Sequence, residues 1–282
     1  MRMHKPHEPE RKRGRSATTM LVLLILALAT STLELAGQSP AGPQSIPLPK
    51  VIRSSVAEVP FGPGETSKYQ VKLGPFSVGD GLMQVVSVEP VRGRLAYFFS
   101  WKITGGIPLA RVDDHYRSWV DVETLATLRS IQEIREVRYR ANRFYEIYPE
   151  AGYWERTDNE DREELSTDLP LDDISFIYFA RTLPLKVGET YTLDRYFLAD
   201  RNPVILKVLR KETIKVPAGT FDTIVVQPII QARGLFGEGG EAEVYFTDDD
   251  RRILVRLSSK VPVMGSLSLH LKDYQPGVPL ER

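Results

Sequence analysis

The sequence predicts an all-β, mainly antiparallel fold with one curved sheet, and three observations support this. Apolar and polar residues alternate with period two in residues 68–73, 99–104, 241–246 and 266–272. Because a strand sends successive side chains to opposite faces, each segment has one core face and one solvated face. Turn-forming residues separate these segments, and only one segment has helical spacing instead.

Turn signals delimit the predicted strands. They fall at residues 91–94, 148–152, 217–219, 237–240 and 247–250, where Gly, Pro and Asp are concentrated. The strands between them are long, about 8–14 residues against a usual length of about 5–6. Long neighbouring hairpins twist and curl, which favours a half-barrel or a closed barrel over a flat sheet.

Residues 170–183 break the alternation. Ile174, Ile177 and Tyr178 recur at nearly helical spacing, the segment opens with a proline and two aspartates, and Pro184 follows it. Proline and acidic residues suit a first helical turn, and a later proline stops the helix. The sequence therefore predicts a short helix near residues 170–183 that caps the open face of the sheet.

The chain divides into four predicted parts. Residues 1–37 hold a basic stretch and then an apolar run at 20–29, too short for the roughly 20 residues that span a bilayer. This pattern predicts a signal peptide cleaved after residue 29 or 37, with an uncleaved membrane anchor as the alternative. Residues 38–56 form a proline-rich linker, residues 57–276 one β-rich domain, and residues 277–282 a tail. We expect export to the periplasm or cell envelope.

Composition excludes several functional classes. The chain has 37 basic and 37 acidic residues, so no overall positive charge draws it to nucleic acid. It has no cysteine, which excludes disulfide frameworks, thiolate zinc sites, thiol nucleophiles and lipid attachment through cysteine. No glycine-rich phosphate-binding motif is present, so neither a nucleotide nor another cofactor is expected.

Histidine chemistry has little support in the sequence. Beyond the signal segment only His115 and His270 remain. His115 follows Asp113 and Asp114, so a Ser-His-Asp arrangement could recruit any serine, but no Gly-x-Ser-x-Gly turn supplies an exposed nucleophile. His270 lies on the strand face opposite three leucines and is expected to point to water. The spacing of the two histidines does not indicate a zinc site.

Three other groups of residues have both a structural and a functional interpretation. Asp248, Asp249 and Asp250 form the densest carboxylate group, but Arg251 and Arg252 follow at once. A charge-balanced hairpin turn therefore fits better than a calcium loop. The basic stretch 135–143 suits the solvated face and tip of a hairpin better than RNA binding.

Seven aromatic residues could line the concave side of the sheet, either as part of the core or as the wall of an apolar ligand pocket. They are Phe98, Phe99, Trp101, Trp119, Tyr145, Tyr153 and Trp154.

Several blocks of the chain resemble the DUF3108 family of bacterial exported proteins. The blocks are Pro-Phe-Gly-Pro-Gly-Glu-Thr at 60–66, residues 171–188, Val-Pro-Ala-Gly-Thr-Phe at 216–221, Thr-Asp-Asp-Asp-Arg-Arg at 247–252 and residues 259–265. Together they span about residues 57–276. The resemblance implies an exported, β-rich envelope protein of unknown function, and no catalytic residues are assigned to that family.

The sequence leaves three hypotheses for function. The first is a non-enzymatic envelope protein that binds an apolar or amphipathic component, such as a lipid, or a partner protein. The second is a hydrolase of cell-wall or glycan substrates that uses carboxylates near Asp113 and Asp114 or at residues 248–250. An outer-membrane barrel is the third, although the chain ends without a terminal aromatic residue. No catalytic, cofactor-binding or metal-binding residue is predicted, and the ligand-binding residues are unknown.

Overall fold

Fourteen strands of the described chain form one antiparallel sheet. The computed structural model describes residues 57–107, 110–136, 139–230, 242–261 and 265–280. The first eight strands are β1 (Thr66–Leu73), β2 (Phe76–Val91), β3 (Arg94–Ile107), β4 (Ala110–Asp121), β5 (Thr127–Glu136), β6 (Tyr139–Tyr148), β7 (Tyr153–Arg156) and β8 (Arg162–Glu164). The other six are β9 (Thr190–Leu193), β10 (Val204–Val216), β11 (Gly219–Ile230), β12 (Ala242–Thr247), β13 (Leu254–Val261) and β14 (Gly265–Gln275). Within the described residues, one α-helix, α1 (Asp173–Ala180), and two short 3-10 helices (Pro149–Ala151 and Ala199–Arg201) complete the elements.

The strands follow an up-and-down order with one long-range pairing. The order across the sheet is β8-β7-β6-β5-β4-β3-β2-β1-β14-β13-β12-β11-β10-β9. Every neighbour is therefore a hairpin partner except β1 and β14, which bring the two ends of the domain together. The sheet does not close, because β8 and β9 remain its edges. The segment that carries α1 joins these two edges.

The alternation of strand directions defines two ends of the curled sheet. At the upper end, β1, β3 and β5 finish and β14 begins; at the lower end, β2 and β4 finish and β14 ends. The inner face carries the main core, because inward positions such as Tyr97, Phe99 and Leu271 are fully buried. Burying one such side chain contributes about 1.5–3 kcal/mol.

Helix α1 starts with a complete capping box. The Asp172 side chain accepts hydrogen bonds from the backbone N–H groups of Ile174 and Ser175, and the Ser175 hydroxyl accepts one from the Asp172 N–H. Such a cap contributes about 1 kcal/mol. The helix packs against β3 and β4 on the inner face, where the Tyr178 ring stacks on Phe99 with 4.0 Å between centroids. It is therefore buried inside the lower half of the sheet.

The sequence predictions of fold class and helix are confirmed, with two differences. The helix lies within residues 170–183 but spans only Asp173–Ala180, because Asp172 is its N-cap. The predicted concave set of aromatic residues is wrong in part: Phe98 and Trp119 stack on each other in an outer-face cluster with Val91, Ala96 and Leu128. Phe98 and Phe99 are consecutive in a strand, so they cannot share a face.

The described residues contain no helix long and apolar enough to cross a membrane. The predicted signal peptide, the linker up to residue 56 and the turn at 237–240 lie outside the described residues.

Candidate functional site

Two carboxyl groups lie on the inner face near the upper end. Asp114 of β4 is fully buried and Glu136 at the end of β5 is 3% exposed. Asp114 pairs in register with Ile103 of β3, and Glu136 pairs with Val112 of β4. Cross-strand partners project to the same face of a sheet. Both carboxyls therefore share the apolar inner surface with Ile103 and Val112.

Burial and mutual repulsion keep protons on this pair. Burial raises the pKa of both Asp114 and Glu136, and electrostatic repulsion from Asp114 raises the pKa of Glu136 further. Asp114 Oδ1 accepts a hydrogen bond from the Arg135 N–H at 2.9 Å. No N–H or hydroxyl of the described residues donates to Asp114 Oδ2 or to either Glu136 oxygen. The raised pKa favours the protonated form of Glu136, and three of the four carboxyl oxygens of the pair have no hydrogen-bond partner among the described residues.

An apolar recess adjoins the carboxyl pair. It is partly open, and its volume of about 20 Å³ is enough for about one water molecule. Ile103 and Val112, the cross-strand partners of the two carboxyls, form part of its wall. The full lining is Val71, Val78, Ile103, Thr104, Gly105, Gly106, Val112, Leu267 and Leu269.

Two glycines let strands β2 and β3 approach closely beside this recess. Gly79 and Gly105 are cross-strand partners. A Cβ atom on Gly79 would lie 2.3 Å from the Thr104 carbonyl oxygen, and one on Gly105 would lie 2.3 Å from the Val78 carbonyl oxygen. Gly105 also has a φ of +154°, which L side chains rarely adopt. Glycine is required at both positions to keep this wall of the recess in place.

A polar network continues from the carboxyl pair toward the start of α1. Asp173 accepts hydrogen bonds from the Tyr196 hydroxyl at 2.5 Å and from Gln132 Nε2 at 3.2 Å. Arg201 donates to the Tyr196 hydroxyl at 2.7 Å, and Arg143 donates to Gln132 Oε1 at 3.2 Å. The upper interior is therefore polar on the β4–β6 side and apolar on the β14–β1–β2–β3 side.

Ser100, His115 and Glu133 meet on the opposite, outer face of the same strands. Ser100 Oγ lies 2.9 Å from His115 Nε2, and His115 Nδ1 lies 3.8 Å from Glu133 Oε2. Asp113 shares this face but Asp114 does not, since neighbouring residues of a strand point to opposite sides. The acidic neighbour across β5 is Glu133, which pairs in register with His115. The sequence suggested the aspartates beside His115 and missed Ser100 and Glu133.

His270 also has a serine partner on the outer face. Its Nε2 lies 2.9 Å from Ser268 Oγ. Partial burial, together with Arg256 and Lys72, lowers the pKa of His270 to about 4, so the ring is neutral at pH 7. The side chain is partly exposed, in the orientation that the sequence predicts.

The aspartates at 248–250 form a turn at the lower end. Asp248 pairs with Lys211 at 2.6 Å and with Arg252 at 3.3 Å, and Asp249 pairs with Arg251 at 3.0 Å. These contacts fit the predicted charge-balanced hairpin. Within the described residues, no three His, Asp or Glu side chains are grouped so that they could hold a metal ion.

A buried ion pair joins three of the sequence blocks quoted above. Arg181 donates to both oxygens of Glu65, at 2.5 and 3.0 Å, and to the Arg251 carbonyl at 3.0 Å. Both side chains of the pair are 4% exposed. The Tyr274 hydroxyl donates to Glu65 at 3.2 Å. These block residues therefore tie the domain together and lie away from the upper-end site.

The family assignment agrees with these blocks. The profile of the family described as "Protein of unknown function (DUF3108)" matches residues 68–272, more than half of the chain. The chain belongs to the DUF3108 family. This confirms the resemblance that the sequence blocks indicate. No curated protein matches the sequence.

Solved structures extend the comparison to the fold of this DUF3108 protein. A β-barrel-like protein of the domain of unknown function DUF1849 from Brucella abortus is 8% identical, with a TM-score of 0.50 over 76% of this chain and 98% of that chain. A protein from Bacteroides fragilis described as exported, with a YmcC-like fold, is 11% identical, with a TM-score of 0.30 over 78% and 99%. A protein from Parabacteroides distasonis described as a lipoprotein is 12% identical, with a TM-score of 0.30 over 77% and 98%. At such identity the likeness to the first protein concerns the fold alone.

Proposed function

We propose that this DUF3108 protein is an exported component of the cell envelope that binds an amphipathic ligand at the upper end of its sheet. The basic and then apolar N-terminal sequence supports export. The observation that carries the binding proposal is an apolar recess whose lining residues Ile103 and Val112 are the cross-strand partners of Asp114 and Glu136. An apolar surface with a few convergent polar groups is the usual composition of a ligand site.

The chemistry of this surface selects the ligand. Carboxyl oxygens without a donor favour an ammonium or hydroxyl group and disfavour an anion. The recess accepts a methyl-sized apolar group, and a longer chain would extend past the strand ends. The ligand is therefore a small or extended amphiphile with a hydrogen-bond donor or a positive charge close to its apolar part.

The same geometry supports the hydrolase hypothesis less well than it supports ligand binding. Asp113 and Asp114 face opposite sides of β4, and the aspartates at 248–250 pair with arginine and lysine at the other end of the sheet. Glycosidases need two carboxyl groups about 5–9 Å apart across the bond that is cleaved. Asp114 and Glu136 are both buried in the interior, so they do not flank an open cleft.

Native mass spectrometry of the protein purified from its own envelope tests the proposal. We expect a bound small molecule on the wild type and on Glu133→Gln, whose side chain lies on the outer face of the same strand. In Glu136→Gln one of the two carboxyl oxygens becomes an amide N–H donor, and loss of a hydrogen bond between neutral groups costs about 0.5–1.5 kcal/mol. Occupancy should therefore fall by about 2- to 10-fold. A wild type that carries no ligand, or equal occupancy in both variants, would overturn the proposal.

A further inference from the structure

We propose that Ser100 on the outer face is a nucleophile that accepts the acyl group of small carboxylic esters, with His115 as its base. This activity lies on the opposite side of β3–β5 from the ligand site, and it does not depend on the binding proposal. Neither the family description nor the structural relatives assign chemistry to these residues.

Three successive strands supply the constellation. Ser100 lies on β3, His115 on β4 and Glu133 on β5, and His115 is in register with Glu133. The 2.9 Å between Ser100 Oγ and His115 Nε2 is a hydrogen bond. The distance of 3.8 Å between His115 Nδ1 and Glu133 Oε2 is too long for a hydrogen bond. A modest side-chain rotation or one bridging water closes such a gap. Contacts between catalytic groups are commonly long in the absence of substrate.

His115 is neutral at pH 7 and can accept a proton. Partial burial lowers its pKa below the ordinary 6.5, and Arg117 on β4 and Lys102 on β3 lower it further. Glu133 on β5 and Asp113 on β4 act in the opposite direction without cancelling this effect. The imidazole therefore has a free lone pair toward Ser100, as a general base requires.

Arg117 supplies a donor for the oxyanion. It is the cross-strand partner of Ser100. Its Nη2 donates to Glu133 at 2.8 Å, while its Nε is buried and has no hydrogen-bond partner in the structure. A buried, unused N–H beside a nucleophile can stabilise the negative oxygen that develops on an attacked carbonyl. The feature that distinguishes the site from an ordinary surface Ser–His contact is the Glu133 carboxylate beside His115 Nδ1.

The second Ser–His pair of the domain lacks the acidic neighbour, although Arg256, the cross-strand partner of His270, also has a buried Nε without a hydrogen-bond partner. Ser268 and His270 are also 2.9 Å apart, but the charged groups that act on His270 are Arg256 and Lys72. No carboxylate of the described residues is among them, so His270 lacks the acidic neighbour that Glu133 provides for His115. Ser268 is therefore a matched control for Ser100.

The reaction is a balanced acyl transfer. Ser100 Oγ bonds to the carbonyl carbon while its proton passes to His115 Nε2. The bond from this carbon to the alcohol oxygen breaks, and the departing alkoxide takes the proton from His115. Water then hydrolyses the acyl-serine by the same steps in reverse. Since Ser100 is only 9% exposed, small acyl groups are favoured over polymeric substrates.

Labelling of the full chain with a fluorophosphonate probe, followed by intact mass and peptide mapping, tests the proposal. We expect covalent modification of the wild type and of Ser268→Ala, and none at this site in Ser100→Ala. His115→Gln should slow labelling by about 10²-fold or more, and the wild-type rate should fall in acid as His115 becomes protonated. Thermal melts of each variant confirm that it is folded. No modification of Ser100 in folded wild type, or equal labelling of Ser100→Ala, would overturn the proposal.

Discussion

Burial of the Glu136 side chain disfavours the negative charge that its carboxylate would carry at neutral pH. A carboxylate at an inward position of a strand loses its hydration, and a second carboxyl, Asp114, lies beside it. The folded protein avoids two adjacent buried charges by keeping a proton there. Keeping this proton makes folding stability depend on pH.

The pH dependence follows from the direction of the pKa shift. Glu136 has a higher pKa in the folded than in the unfolded protein, so the folded state binds more protons between the two values. The free energy of unfolding therefore falls as pH rises through this window. We expect the free energy of unfolding, measured by urea denaturation at each pH, to fall from pH 7 to pH 9 in the wild type. It should fall less in Glu136→Gln. The histidines, with lowered pKa values, titrate below this range. Parallel stability curves for the two proteins would contradict the expectation.

Single residues also explain what sequence reasoning could find. Alternation places Asp113 and Asp114 on opposite faces, and it marks Asp114 as a carboxyl between inward Val112 and Tyr116. That signal was present in the sequence. The pairing of His115 with Ser100 and Glu133 depends on register across two hairpins, which alternation does not determine.

At the scale of elements, helix α1 is fixed at both ends by buried polar groups. Its start carries the Asp172 cap, and Arg181, directly after its last turn, binds Glu65 ahead of β1. Burial of this pair removes both charges from water, and the bidentate contact offsets the desolvation cost. The ion pair therefore holds the helix against the lower end of the sheet.

Removing one partner of this pair should be costly. In Arg181→Met the Glu65 carboxylate stays buried with only the Tyr274 hydroxyl as donor, and we expect a loss of about 3–5 kcal/mol in the free energy of unfolding. Lys68→Met is the control, because Lys68 and Asp273 form an exposed pair that contributes less than about 1 kcal/mol. Chemical denaturation measures both. A loss in Arg181→Met no larger than in Lys68→Met would show that the buried pair does not fix the helix.

At the scale of the whole molecule, β14 joins the two halves of the sheet. It pairs with β1 on one side and β13 on the other, and its Leu267, Leu269 and Leu271 are buried in the core. The meander is otherwise local along the chain. The β1–β14 pairing is therefore the long-range contact that makes the sheet one unit.

Truncation tests this role of β14. A chain that ends after residue 261 lacks β14 and exposes the edges of β1 and β13, so we expect no cooperative thermal transition by near-UV circular dichroism. A chain that ends after Gln275 keeps every described strand and loses only contacts such as the hydrogen bond from the Val278 N–H to the Pro63 carbonyl. It should unfold cooperatively at a lower temperature. Cooperative unfolding of the shorter chain would contradict the assigned role.

Local periodicity and capping chemistry are enough to predict the all-β class, the short helix and the face on which most side chains lie. Tertiary structure alone decided which strands pair across β1 and β14, and that the sheet stays open between β8 and β9. It also decided which side chains meet. Register shifts at Val85/Ser87 and Trp119/Val120 alter the facing of single residues. The physical reason is that contacts between strands depend on register and curvature, which no local pattern encodes.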